Sequence, residues 1–215
     1  MKIVGVQVAK AQTIQWNGKN ISTGIFKELV NGPIFVDGVN LEGDEQGDLT
    51  VHGGPYKAVY SYASEFYKFW FEQRQQNLKF GMFGENLTTE GLVESKVCVG
   101  DRFRMGNVLL EASQPRFPCF KLGIRFSDSR IIDQFHHSGR WGLYYRVLES
   151  GTLQAGDVIH WEFRHPDQVS IYDLYRLRRG LDKNPDKLKK IAEMDFIDPS
   201  WRAWAAKLIG SVDNR

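Results

Sequence analysis

The chain has 215 residues, 42% of them hydrophobic and 25% charged, with a formal net charge of +2. That size suits one good core with a small appendage, or two small domains, and the near balance of charge excludes a strong field for nucleic acid or a membrane surface. Two cysteines exclude a disulfide scaffold and fit a reducing compartment, no apolar run approaches the roughly 20 residues that span a bilayer, and the apolar start, broken by Gln7 and Lys10, is too short for a signal peptide, so the chain is expected in the cytoplasm.

The first two thirds read mostly as strands. Ile3, Val4, Val6 and Val8 begin a β-rich stretch. Ile14–Trp16 and Ile21–Thr23 flank Asn17-Gly18, a tight-turn signal because both residues tolerate positive φ. Asn31-Gly32-Pro33 marks a turn before Ile34–Val36, and Val97-Cys98-Val99 reads as a strand running into Gly100-Asp101. Val108–Ala112, Leu143–Leu148 and Val158–Phe163 complete the set, and short strands with frequent Gly turns predict a barrel or sandwich. Two helices interrupt it. One is capped by Ser64 and runs to about Gln75; the other starts at Ser127 or Asp128 and stops at Gly139. After His165-Pro166 three helices are expected, capped by Ser170, Asn184 and Asp198 and ended in the first and third cases by Gly180 and Gly210. A bundle of that size is marginal alone, so it should dock on the barrel or on a partner subunit.

Chemistry concentrates in Gln114-Pro115-Arg116-Phe117-Pro118-Cys119-Phe120-Lys121-Leu122. Two prolines stiffen the approach to the thiol. Arg116 and Lys121 are cations that favour a thiolate, which is both a nucleophile and a metal ligand. A buried structural cysteine is the plain alternative. In Gly43–Lys57, consecutive Gly53 and Gly54 can form an anion-binding nest, with His52 and Lys57 adding charge, or the segment is an ordinary turn. Glu85 and Asn86, after two glycines, can read a heterocycle edge or cap a turn. Ser22-Thr23-Gly24-Ile25-Phe26-Lys27 offers hydroxyls and a cation suited to phosphate, and six Trp, eight Tyr and 14 Phe suit a pocket for a flat ligand. Gly-x-Gly-x-x-Gly, Walker-type, Gly-x-Ser-x-Gly, His-Glu-x-x-His and Cys-x-x-Cys motifs are all missing from the sequence. Cys98, alternating with Val97 and Val99, reads as a small core residue.

Together, Ser22–Lys27, Leu41–Gln46, Val51–Gly54, Phe83–Leu87 and the Pro-Arg-x-Pro-Cys-x-Lys-Leu string ending at Leu122 resemble the MOSC-domain family, most closely its bacterial YiiM-like branch. The resemblance implies a mainly β fold: a MOSC-type β-barrel with a few peripheral helices over residues 1–165, then a small three-helix domain over 166–215. It implies a molybdenum cofactor (molybdopterin) with Cys119 as the metal ligand and catalytic residue. Arg116, Lys121, Lys57, His52, Gly53 and Gly54, with Thr23 and Lys27, would then serve its anionic part, and Glu85 and Asn86 its pterin ring or the substrate. The implied activity is reduction of N-hydroxylated compounds, such as hydroxylaminopurine-type base analogues, with electrons from a separate donor protein. No nucleic-acid or membrane partner is expected, and the aromatic-rich tail helices are a candidate homodimer contact. Two alternatives stay open: a sulfur-carrier or cofactor-handling protein bearing a persulfide on Cys119, and a non-catalytic binding module with that cysteine buried.

Overall fold

The computed structural model describes residues 1–47 and 53–212. In chain order it has β1 (Lys2–Val8), β2 (Gln12–Trp16), β3 (Lys19–Thr23), β4 (Glu28–Leu29) and β5 (Ile34–Val36), then a 3-10 turn at Pro55–Lys57. After it come β6 (Val59–Ala63), α1 (Glu65–Arg74), β7 (Leu87–Glu90), β8 (Arg102–Met105), β9 (Val108–Pro115), α2 (Phe120–Phe126) and α3 (Ile131–His137). β10 (Leu143–Glu149), β11 (Gly151–Leu153) and β12 (Ile159–Phe163) lead to α4 (Ile171–Arg178), α5 (Pro185–Glu193) and α6 (Pro199–Val212).

Eight strands make one mixed sheet in the order β12-β8-β9-β10-β6-β7-β1-β4. Only β6 and β7 pair in parallel within it. The sheet curls until its ends meet: Lys2 bridges Val158, Ile3 N donates to Asp157 O at 2.9 Å, and Ile159 N donates to Met1 O at 2.9 Å. Curling removes most of the unpaired edge, as a barrel does. β9 is buried along its whole length between β8 and β10, which explains its unbroken apolar run Val108-Leu109-Leu110. The β2–β3 hairpin turns on Asn17 and Gly18, both at positive φ, with Ile14 opposite Ile21.

The tail helices complete the sheet's own core. Leu174, Leu188, Ile191, Ile197, Trp201 and Ala205 lie in one apolar cluster with Ile3, Phe103, Leu110 and Leu153. Ser170 closes a reciprocal capping box with Asp173, and Asn184 Oδ1 accepts from Asp186 N and Lys187 N, each at 3.0 Å. Three local expectations change. Val97–Val99 is a loop tied to the tail by the Cys98–Ser170 bridge, α6 runs through Gly210 to Val212, and the helix expected to begin at Ser127 or Asp128 is preceded by another, α2. Among the described residues no helix is long and apolar enough to cross a membrane.

Candidate functional site

Strand β9 delivers the cysteine. It ends at Pro115, the chain leaves the sheet through Phe117-Pro118, and Cys119 stands in extended conformation (φ −121°, ψ 172°) just before α2. Its carbonyl accepts from Leu122 N at 2.9 Å, and its thiol is free and half-buried. It opens on a cleft that encloses about 670 Å³, mouth included, and that also meets Thr23, Lys27, Gly53, Lys57, Asn86, Arg116 and Lys121. Segments far apart in the chain thus converge around one sulfur.

Arg116 is a buried cation of the cleft, only 6% exposed. Its guanidinium lies 5.0 Å from the Tyr60 ring centroid and 5.3 Å from that of Phe135. Burial works against its charge, but Tyr60, Tyr144 and Cys119 outweigh it and raise its pKa above the ordinary arginine value. Arg116 Nη1 is buried without a hydrogen-bond partner. An orphaned donor on a buried charge costs free energy, so this atom is poised for an anion from outside the chain. Lys121, also buried, brings a second cation to the same wall.

Lys27 has a different role from the expected one. It is ion-paired with the Asp44 carboxylate, and both side chains are buried. Desolvation lowers its pKa, against the pull of Asp44 and Glu85. Asp44 also accepts from Ala9 N at 2.8 Å and from Asn86 Nδ2 at 3.0 Å. Asn86 Oδ1 accepts from Tyr60 N at 3.2 Å, so its amide is spent on holding β6 and the Asp44 loop together rather than on reading a ring. Thr23 is 1% exposed, and its hydroxyl accepts from Ile25 N at 3.2 Å.

Glu85 does not line the cleft. It is fully buried and accepts from Tyr67 Oη, Gly81 N at 2.8 Å, Phe83 N at 3.1 Å and Thr88 Oγ1 at 3.2 Å. Desolvation raises its pKa. It folds the Gly81–Gly84 loop from beneath, so the expected contact with cofactor or substrate is withdrawn. Gly54, at φ 80°, starts the 3-10 turn and its carbonyl accepts from Lys57 N at 3.0 Å; Gly53 lines the cleft and Gly54 does not. His52 lies outside the described residues. At Gly24 a Cβ would strike the Glu45 carbonyl, and at Gly53, where φ is 92°, it would strike the Gln46 amide. Both glycines allow backbone to close around the cleft.

Asp44, Tyr60 and Tyr144 are cleft residues that reading the sequence by chemistry did not single out. Asp44 stood inside the Leu41–Gln46 string, and a lone carboxylate facing Lys27 seventeen positions away leaves no local signal. Among the described residues no group of three or more His, Cys, Asp or Glu could hold a metal ion. A metal at Cys119 would therefore bring most of its ligands with it on a cofactor, and the orphaned Arg116 Nη1 fits the anionic part of such a group.

The MOSC domain family model matches residues 48–160. The uncharacterized protein YflK of Bacillus subtilis is 37% identical over 201 residues, covering 94% of this chain and 91% of that one. Protein YiiM of Escherichia coli is 34% identical over 197 residues, covering 89% and 88%. A protein of Gibberella moniliformis named reductase is 32% identical over 185 residues, which are 84% of this chain but 33% of that one. Among solved structures, YiiM from Geobacillus stearothermophilus superposes with a TM-score of 0.81 at 29% identity, over 97% of this chain and 98% of that one.

Proposed function

The chain belongs to the MOSC domain family, whose members are associated with molybdenum cofactor binding, and from that premise we propose that it is a molybdenum-cofactor oxidoreductase that reduces N-hydroxylated compounds, hydroxylaminopurine-type bases among them. One observation carries the reading: a half-buried, unpaired cysteine opens on a cleft also lined by Arg116, whose buried Nη1 has no hydrogen-bond partner in the chain. A soft sulfur ligand and a buried cation in one cavity suit a group that is metal at one end and anionic at the other. The relative named reductase, of which this chain spans a third, supports a reductive direction.

The cofactor, when bound, supplies two-electron redox chemistry at its metal. The protein supplies the rest. The Cys119 sulfur would be the metal ligand. Arg116 Nη1 and Lys121 would hold the anionic part, with Lys57 and the Gly53 backbone at the rim. Tyr60 and Tyr144 flank the space with rings 5.1 Å apart between centroids, a wall for a flat substrate. The net reaction, R–NHOH + 2e⁻ + 2H⁺ → R–NH2 + H2O, consumes protons. Lys27 Nζ is a cleft-lining proton source whose release burial favours, with Asp44 keeping it in place. In this reading the electrons come from a separate donor protein.

The test is metal analysis of protein made in a cofactor-competent host. About one molybdenum per chain is expected, lost in Cys119→Ala, together with donor-dependent reduction of 6-hydroxylaminopurine by the loaded protein. Full metal loading in the variant contradicts the ligand assignment. A one-sulfur mass gain on Cys119 without molybdenum replaces this reading with sulfur transfer.

A further inference from the structure

A stack of aromatic rings runs from the cleft wall to the surface of α4. Phe117 lines the cleft and stacks on Tyr175, with centroids 4.6 Å apart and planes within 12°. Tyr175 stacks on Trp141 at 3.4 Å and 11°, and Trp141 on the half-buried Tyr172 at 5.4 Å and 22°. Tyr175 itself is fully buried, and its hydroxyl is hydrogen-bonded to His136 Nδ1 at the end of α3. With the imidazole proton on Nε2, the phenol is the donor. A buried tyrosine with a stacked indole on one side, a cleft-lining ring on the other and an imidazole at its oxygen is an arrangement that packing alone does not require.

We propose that Tyr175, with His136 as its proton acceptor, is an oxidisable relay that drains one-electron holes from the cleft and passes them towards the surface through Trp141 and Tyr172. The oxidant is a thiyl radical on Cys119, formed when an organic peroxyl radical takes the hydrogen atom of the thiol and leaves as the hydroperoxide. One electron leaves the Tyr175 phenol, crosses Phe117, which is never itself oxidised, and reduces the sulfur to thiolate. The phenolic O–H bond breaks, its proton passes to His136, and a neutral phenoxyl remains. A small-molecule thiol at Tyr172 returns one electron by way of Trp141, loses its proton to water and leaves as a thiyl radical, and His136 gives its proton back to the phenoxyl oxygen. The relay goes beyond the proposed reductase activity and needs no metal.

Tyr60 and Tyr144 border the cleft directly, yet they are poorer hole acceptors. Tyr60 Oη donates to the Trp141 carbonyl, which cannot take a proton, and both phenols lie beside the Arg116 cation, which opposes loss of an electron. Of these three phenols only Tyr175 has a base at its oxygen. Burial, with Arg179 and His137 nearby and against the pull of Asp133, keeps the His136 pKa low and the ring neutral.

The experiment uses metal-free, full-length protein carrying Cys98→Ser and S-nitrosated at Cys119. A laser flash breaks the S–N bond, releases nitric oxide and leaves the thiyl radical in the cleft. A phenoxyl absorption band and tyrosyl EPR signal should appear, persist in Tyr60→Phe, and vanish in Tyr175→Phe, a change that keeps the ring and its stacking. In His136→Asn the yield should fall several-fold. Absence of a phenoxyl in the parent, its survival in Tyr175→Phe, or its loss in Tyr60→Phe overturns the relay. An undiminished yield in His136→Asn overturns the role of the imidazole.

Discussion

Trp201 Nε1 donates to Gln114 Oε1 at 2.8 Å, a buried bond between the last helix and the strand that delivers Cys119. Gln114 Nε2 meanwhile donates to Tyr56 O at 3.2 Å, beside the Gly53–Gly54 turn. The tail therefore braces two walls of the cleft at once. Trp201→Phe keeps most of the ring and strands the Gln114 oxygen. Urea denaturation should show a loss of about 1–3 kcal/mol, with a matching loss of cofactor retention.

Arg116→Met should separate stability from loading. A buried guanidinium with an orphaned nitrogen burdens the empty protein, and a thioether of similar length removes that burden. The metal-free variant should be as stable as the parent or more so by about 1–3 kcal/mol, while its molybdenum content falls. Thermal melts and metal analysis on one preparation decide the matter.

Asp44→Asn should cost about 3 kcal/mol in denaturant titrations, because it leaves the buried Lys27 ammonium without its counter-charge. Adding Lys27→Met should recover part of the loss. A double-mutant cycle without coupling would show that the pair does not act as one unit.

Glu94 predicts a pH dependence. Burial raises its pKa from 4.5 to about 7, although its carboxylate accepts from Trp141 N at 2.6 Å and from Gly142 N. A carboxyl whose folded pKa exceeds the unfolded value binds its proton more tightly when folded. Its stabilising contribution is therefore complete below about pH 4.5 and disappears as pH rises to about 7. The change amounts to about 3 kcal/mol at 1.36 kcal/mol per unit. Glu94→Gln should flatten the stability profile in that window and leave the acid limb unchanged.

Much of the scaffold was legible because its signals are local. Asn17-Gly18 marks a hairpin by its positive φ, and Ser170 and Asn184 mark helix starts because their side chains reach backbone N–H groups two or three residues on. The Cys119 segment reads from its own prolines and cations. What was missed depends on distant partners. β4, β7 and β11 span two to four residues and exist only because β1, β6 and β5 lie alongside. Val97–Val99 has strand composition but meets Ser170 rather than a sheet edge. Glu85 and Lys27 were assigned to a ligand because a sequence shows which charges exist but not which are already satisfied. Glu85 is occupied by the loop it shapes, and Lys27 by Asp44.

The contrast between the two sulfurs has a use in living cells. Cys98 is 2% exposed and touched by Arg164, whereas Cys119 is half-buried on the open cleft. A soft electrophile added to intact cells therefore addresses one position, and a metal on that sulfur would shield it. The alkylated fraction, read by peptide mass spectrometry, becomes a census of how many copies are waiting empty.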